Sequence, residues 1–130
     1  MNIYVLIAGL LVFLGFAAHT FVGTKETLTT KADVSEPGIE KNWYQSFVAW
    51  HLITADLLLS SILLVLVATT DIFEAKRTVT LIIALQFLAW TASALITLLA
   101  TDGRKYFKQL YQWAFFLAIA ATLLFGMNRF

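Results

Sequence analysis

The sequence predicts an all-α integral membrane protein. It reads as one domain, an up-down bundle of four transmembrane helices with both termini on the same side. Three observations predict this. Hydrophobic residues make up 60% of the 130-residue chain and charged residues 13%, against roughly 45–50% and 25% in soluble globular proteins. The charges gather in the gaps between four long apolar runs. Each run reaches the roughly 20 residues that a helix needs to cross a hydrocarbon core of about 30 Å. The same composition argues against a soluble enzyme domain, a disordered segment or a nucleic-acid-binding module. A net charge of +1 leaves no basic field for DNA or RNA. With no cysteine there is no disulfide framework, thiolate metal site or cysteine nucleophile.

Helix 1 is expected at about 3–22, because Ile3–Val22 is free of charge. It lacks a basic start, its apolar stretch exceeds a signal-peptide core, and Ala17-Ala18-His19 makes a poor cleavage site, so it is expected to stay in the mature protein. A polar link follows at 23–42. It mixes Lys25, Glu26, Lys31, Asp33, Glu36, Glu40 and Lys41, and it holds the only proline. Pro37-Gly38 marks a turn, and Asp33-Val34-Ser35-Glu36 suits a short interfacial turn of helix. Helix 2 is placed at about 43–70, apolar except for Asp56. Helix 3 occupies about 78–101 and helix 4 about 106–128. All four runs are apolar on every face, unlike the alternating strands of a membrane barrel. The links Asp71–Arg77 and Asp102–Arg104 are short, which makes helices 2, 3 and 4 antiparallel neighbours.

Orientation follows from lysine and arginine near the helix ends. The 1–2 and 3–4 links carry Lys25, Lys31, Lys41, Arg104, Lys105 and Lys108, whereas the opposite side carries Lys76, Arg77 and Arg129. The expectation is a bacterial inner-membrane protein with those two links cytoplasmic and the termini outside. Trp43, Tyr44, Trp50, Tyr106, Tyr111 and Trp113 form an interfacial belt on the link side.

Three ionisable side chains lie within the apolar runs, namely His19, His51 and Asp56. Such groups are costly in a bilayer and mark candidate sites. His19 shares a face with Ala8, Gly15 and Gly23, small residues that let a neighbouring helix approach. His51 shares a face with Phe47, Thr54 and Leu58. Helices 1 and 2 run antiparallel, so the two histidines are expected at similar depth, facing each other. Paired imidazoles can ligate haem iron or hold a divalent metal, with Glu26 a possible added carboxylate. The plainer reading makes them packing groups that hydrogen-bond to carbonyls, headgroups or each other. Asp56 lies five residues from His51, about 140° around the helix, and faces a stripe of Gln86, Trp90, Ser93 and Thr97 on helix 3. That places Asp56 near Gln86 and the Trp90 indole at mid-membrane. The pair either forms a proton or cation site or serves as a hydrogen bond joining two helices.

Ala18-His19-Thr20-Phe21-Val22-Gly23-Thr24-Lys25-Glu26 and Trp50-His51-Leu52-Ile53-Thr54 together resemble segments of a loose group of small bacterial four-helix membrane proteins. In that group helix 1 ends in Ala-His followed by Gly and Glu, and helix 2 carries Trp-His-Leu-x-Thr. Here Thr24-Lys25 separates the Gly from the Glu, and the likeness covers the first half of the chain. The resemblance implies a shared interest in His19 and His51 and no particular activity.

Phosphate-loop, zinc-protease and serine-hydrolase motifs are absent, and no lysine lies inside an apolar run. Three readings follow, in order of preference. The first is a non-enzymatic accessory or assembly subunit of a larger membrane complex, its partners being the lipid bilayer and other membrane subunits or itself. The second is a haem- or metal-binding redox protein using His19 and His51. The third is a homo-oligomeric channel or transporter whose seam includes Asp56, Gln86 and Trp90.

Overall fold

The computed structural model describes residues 1–31 and 37–130, and among them every regular element is helical. Helix α1 spans Ile3–Ala18, α2 Thr24–Thr29, α3 Pro37–Thr69, α4 Lys76–Ala100 and α5 Gln112–Met127. One turn of π-helix, His19–Gly23, joins α1 to α2, so Ile3–Thr29 is a continuous 27-residue helix. A 3-10 turn, Asp102–Tyr106, follows α4.

Three of the helical stretches are long and apolar enough to cross a membrane: Ile3–Thr29, Gly38–Thr69 and Lys76–Ala100. The fourth differs from expectation. Residues 106–111, assigned to helix 4 from hydropathy, are used up by the 3-10 turn and the turns after it. That leaves α5 with 16 residues, about 24 Å at 1.5 Å per residue. The polar link differs as well. It is not a 20-residue connection, because the helix carries on through Thr29 and α3 starts at Pro37. Proline is tolerated in the first turn of a helix, where its missing N–H costs nothing, so Pro37-Gly38 opens a helix instead of closing a turn. The interfacial turn expected at 33–36 lies outside the described residues.

The helices pack antiparallel to their neighbours. Asn2 faces Ala68, Gly9 faces Ser61 and His19 faces Thr54 along the α1–α3 contact. Tyr4 meets Phe125 and Gly15 meets Phe115 along α1–α5, while Thr91 meets Trp113 along α4–α5. Buried positions step by four, three and four: Leu57, Ser61, Leu64, Ala68 on α3 and Thr80, Ala84, Phe87, Thr91 on α4. This spacing is the one with which side chains of one helix fill spaces on the next in helical bundles. Asn2 ties the far end together. Its side-chain oxygen accepts from the Val5 N–H, its amide donates to the Gly126 carbonyl at 2.8 Å, and its backbone N–H donates to Ala68 at 3.0 Å. Both chain ends therefore sit at the α3–α4 link end.

The distribution of polarity is inverted relative to a soluble protein. Asn2, Thr54, Ser60, Ser61, Thr80 and Thr91 are buried, while Leu10, Leu14, Leu52, Leu59, Ile82 and Ile96 are exposed. Thr80 and Thr91 return their hydroxyl hydrogens to carbonyls one turn back, so these hydroxyls are satisfied within their own helices. Packing is uneven. The contacts α1–α3 and α4–α5 are extensive and α1–α5 intermediate, whereas α3 and α4 touch sparsely.

Candidate functional sites

Two polar sites lie between helices, and both include residues expected from the sequence. The first is at the π turn. Thr24 donates its backbone N–H to the His19 carbonyl five residues back, which widens one turn, and its hydroxyl donates to the same oxygen. Single π turns inside α-helices recur at functional sites. The Trp50 indole N–H from α3 donates to the Thr24 hydroxyl at 3.2 Å. The Trp50 ring stacks on the His19 imidazole with centroids 3.7 Å apart and planes 13° from parallel. Gly23 makes room for this. A Cβ there would fall 2.4 Å from Trp50 Cζ2.

Thr54 anchors His19 at Nδ1. Its hydroxyl lies 3.1 Å from the Trp50 carbonyl, its acceptor one turn back, and 2.9 Å from His19 Nδ1. A hydroxyl has one hydrogen to give. Given to the Trp50 carbonyl, that hydrogen leaves the oxygen free to accept from Nδ1–H and puts the imidazole lone pair on Nε2; given to Nδ1, it leaves Nε2 carrying the hydrogen. This nitrogen has no hydrogen-bond partner among the described residues. In the first of these tautomers the histidine is oriented through one nitrogen with the other lone pair free, the arrangement that a metal ligand or proton acceptor requires.

The structure gives the two histidines different direct partners. His19 hydrogen-bonds to Thr54 and stacks on Trp50, and among the described residues no hydrogen bond or ring stack joins it to His51. Residues 50, 54, 57, 61 and 64 of α3 turn toward α1, which leaves His51 outside the contact, exposed and edge-on to Phe47 with centroids 4.5 Å apart. Glu26 is exposed on α2. Among the described residues no three histidine, cysteine, aspartate or glutamate side chains gather as a metal cluster.

The second site is between α3 and α4, where the Gln86 amide donates to Asp56 Oδ2 at 2.6 Å. The sequence placed these two residues opposite each other. The Trp90 ring packs in an aromatic cluster with Phe87 and Phe116, both centroids 5.3 Å away, and among the described residues no hydrogen bond joins its indole to Asp56. Asp56 and Gln86 are both half-buried. Asp56 lies about 20 Å along α3 from Thr69, and Gln86 about 15 Å along α4 from Lys76, so the pair occupies the middle of the bundle.

Two further groupings close the link end. Lys31 donates to the Tyr44 hydroxyl at 2.7 Å and lies over the Trp43 and Tyr44 rings, clasping the tip of the α2–α3 hairpin. Arg104, expected only as an interface anchor, donates to the Leu99 carbonyl at 2.8 Å and so satisfies an open group at the end of α4. Sequence reasoning missed the π turn, the Thr24 and Thr54 contacts and the three-way role of Asn2. A search of family models, curated proteins and solved structures finds no match to this chain.

Proposed function

We propose that the chain is an integral membrane protein whose four helices all cross the bilayer, and that it serves as a non-enzymatic accessory subunit bound laterally to a larger membrane assembly. The inverted polarity supports the membrane setting. For α5, the belt residues Tyr106, Tyr111 and Trp113 lie at the headgroup level and leave about 24 Å of helix for a locally thinned or tilted crossing. The excess of lysine and arginine at the end of the α2–α3 and α4–α5 links favours that end in the cytoplasm and the termini outside, in a bacterial inner membrane.

One observation carries the accessory reading. The sparse α3–α4 seam holds a half-buried carboxylate at mid-bundle. A bilayer offers such a group no water, and intramembrane carboxylates are retained where protein covers them. The test is a photo-crosslinking residue placed in native membranes at Leu59 or Ile82, which flank the seam, and at Leu14 or Leu117 on other faces. A discrete protein adduct confined to the seam positions is expected. Equal labelling at all four positions, or adducts only with a second copy of the chain, would refute the accessory role.

A second reading rests on His19 Nε2, which has no hydrogen-bond partner among the described residues. It makes the π-turn site a haem or divalent-metal site, with His51 as the ligand of second choice. An oxidised-minus-reduced spectrum with metal analysis on gently purified protein decides it. A band or stoichiometric metal lost in His19→Ala supports it, and a blank spectrum ends it.

A further inference from the structure

We infer that the α3–α4 seam receives a transmembrane helix carrying a basic side chain near its middle, which pairs with Asp56. This rests on the accessory reading above and names the chemistry of the partner.

The argument begins with unfilled hydrogen-bonding capacity. An ionised carboxylate has two oxygens and about four lone-pair positions. Gln86 supplies one hydrogen bond, to Oδ2, and Asp56 Oδ1 receives none from the described residues. Among those residues the only ion pair is Lys76 with Asp71, in the α3–α4 link, so no cation of this chain neutralises Asp56. Every lysine and arginine lies outside the charge-free runs, several helical turns from mid-bundle. An intramembrane acid is ordinarily paired or shielded by protein.

The surroundings suit a helix. On α3 the residues one turn either side of Asp56, Leu52 and Leu59, are 66% and 54% exposed, and on α4 Ile82 is 60% exposed. Ala89 and Ser93, small residues on the Gln86 face, are exposed too, and small residues admit a second backbone closely. The seam is thus an apolar strip with one acidic and one amide group at its centre. Complementarity of charge selects a cation for that centre, because a purely apolar helix would bury the acid without a partner. A second copy of this chain brings another acid to the seam, not a base.

The probe is a polyleucine transmembrane peptide with a single central lysine, beside versions with central glutamine or leucine. Each carries an acceptor dye and is reconstituted with the donor-labelled full chain in phosphatidylcholine vesicles. Energy transfer should report the lysine peptide binding roughly tenfold or more tightly than the all-leucine peptide. Asp56→Asn keeps the shape and the Gln86 contact, so the fold is retained. In that variant the lysine peptide should fall to within about twofold of the all-leucine peptide. Equal binding of lysine and leucine peptides overturns the inference, as does lysine-peptide binding that survives Asp56→Asn. Binding of the glutamine peptide equal to that of the lysine peptide overturns it in favour of neutral hydrogen bonding. Loss of the basic-partner effect alongside seam-confined crosslinks in native membranes would sink this inference and leave the accessory role standing. Unconfined crosslinks would sink the accessory role itself.

Discussion

The two sides of α3 are built on opposite terms. Toward α1 it presents Leu57, Ser61, Leu64 and Ala68, all buried. There Gly9 brings the backbones so close that an added Cβ would sit 3.1 Å from Leu64 Cβ. Toward α4 it presents Asp56 among exposed leucines, and among the described residues its polar link to that helix is one hydrogen bond to Gln86. In the bilayer setting proposed above, apolar side chains would gain little by leaving the hydrocarbon, so packing and hydrogen bonds would decide which helices associate. The α1 side has both, and the α4 side has a single hydrogen bond. The comparison teaches that α1 and α3 hold the fold while the α3–α4 seam is available for other contacts.

The largest expected effect breaks the closed side. Leu64→Ala should cost about 2–5 kcal/mol of stability by leaving a cavity, whereas Ile62→Ala, 48% exposed on the same helix, should change it by less than about 0.5 kcal/mol. Reversible unfolding in mixed micelles measures both, and equal costs would mean that α3 is not packed on one side only. Next comes Gly23→Ala, which drives a methyl into the Trp50 ring and should cost about 1–3 kcal/mol. Red-shifted, brightened or quenched Trp50 emission checks that the indole has left His19. Unchanged emission would show that the stack does not depend on Gly23.

Thr54→Val sharpens the comparison at the π turn. It removes the hydrogen-bond partner of His19 Nδ1 and should cost about 0.6–2 kcal/mol, with the imidazole nitrogen shifts moving in the magnetic-resonance spectrum. The smallest effect lies in the link. The Lys76 ammonium, donating at 2.6 Å, holds the Asp71 carboxyl below the usual carboxylate range. A depressed folded value means that the pair stabilises above the ordinary aspartate pKa of about 3.9, and that the contribution disappears as pH falls through the lower folded value. Asp71→Asn should flatten only that acid limb, and added salt should weaken the difference, because the pair is exposed and screened. A change near neutral pH instead would assign the acid limb to another carboxylate.

Several features could be read from residue order alone. Asp56 and Gln86 sit near the centres of two consecutive helices joined by a short link, so antiparallel packing had to bring them level. Trp90 could not be read in the same way. It lies four residues beyond Gln86, and its large ring had a choice between the open seam and the Phe87–Phe116 cluster, where ring edges meet ring faces. The histidines illustrate the same limit. Their shared depth follows from helix length, but the side that α3 turns toward α1 is set by the whole Trp50-to-Ala68 seam, and that seam leaves His51 outside.

The sequence by itself determined that the chain is helical, that three of its apolar stretches are long enough to cross a membrane, and where its charges must lie. These are properties of local composition, summed over each run. Only the tertiary structure decided that His19 begins a π turn, that Gly23 yields its space to an indole, and that Asn2 joins three elements at one end. Each depends on the distance between backbones distant in sequence. That distance is fixed by which small residues meet across a helix contact, and no periodicity within one helix records what its neighbour offers.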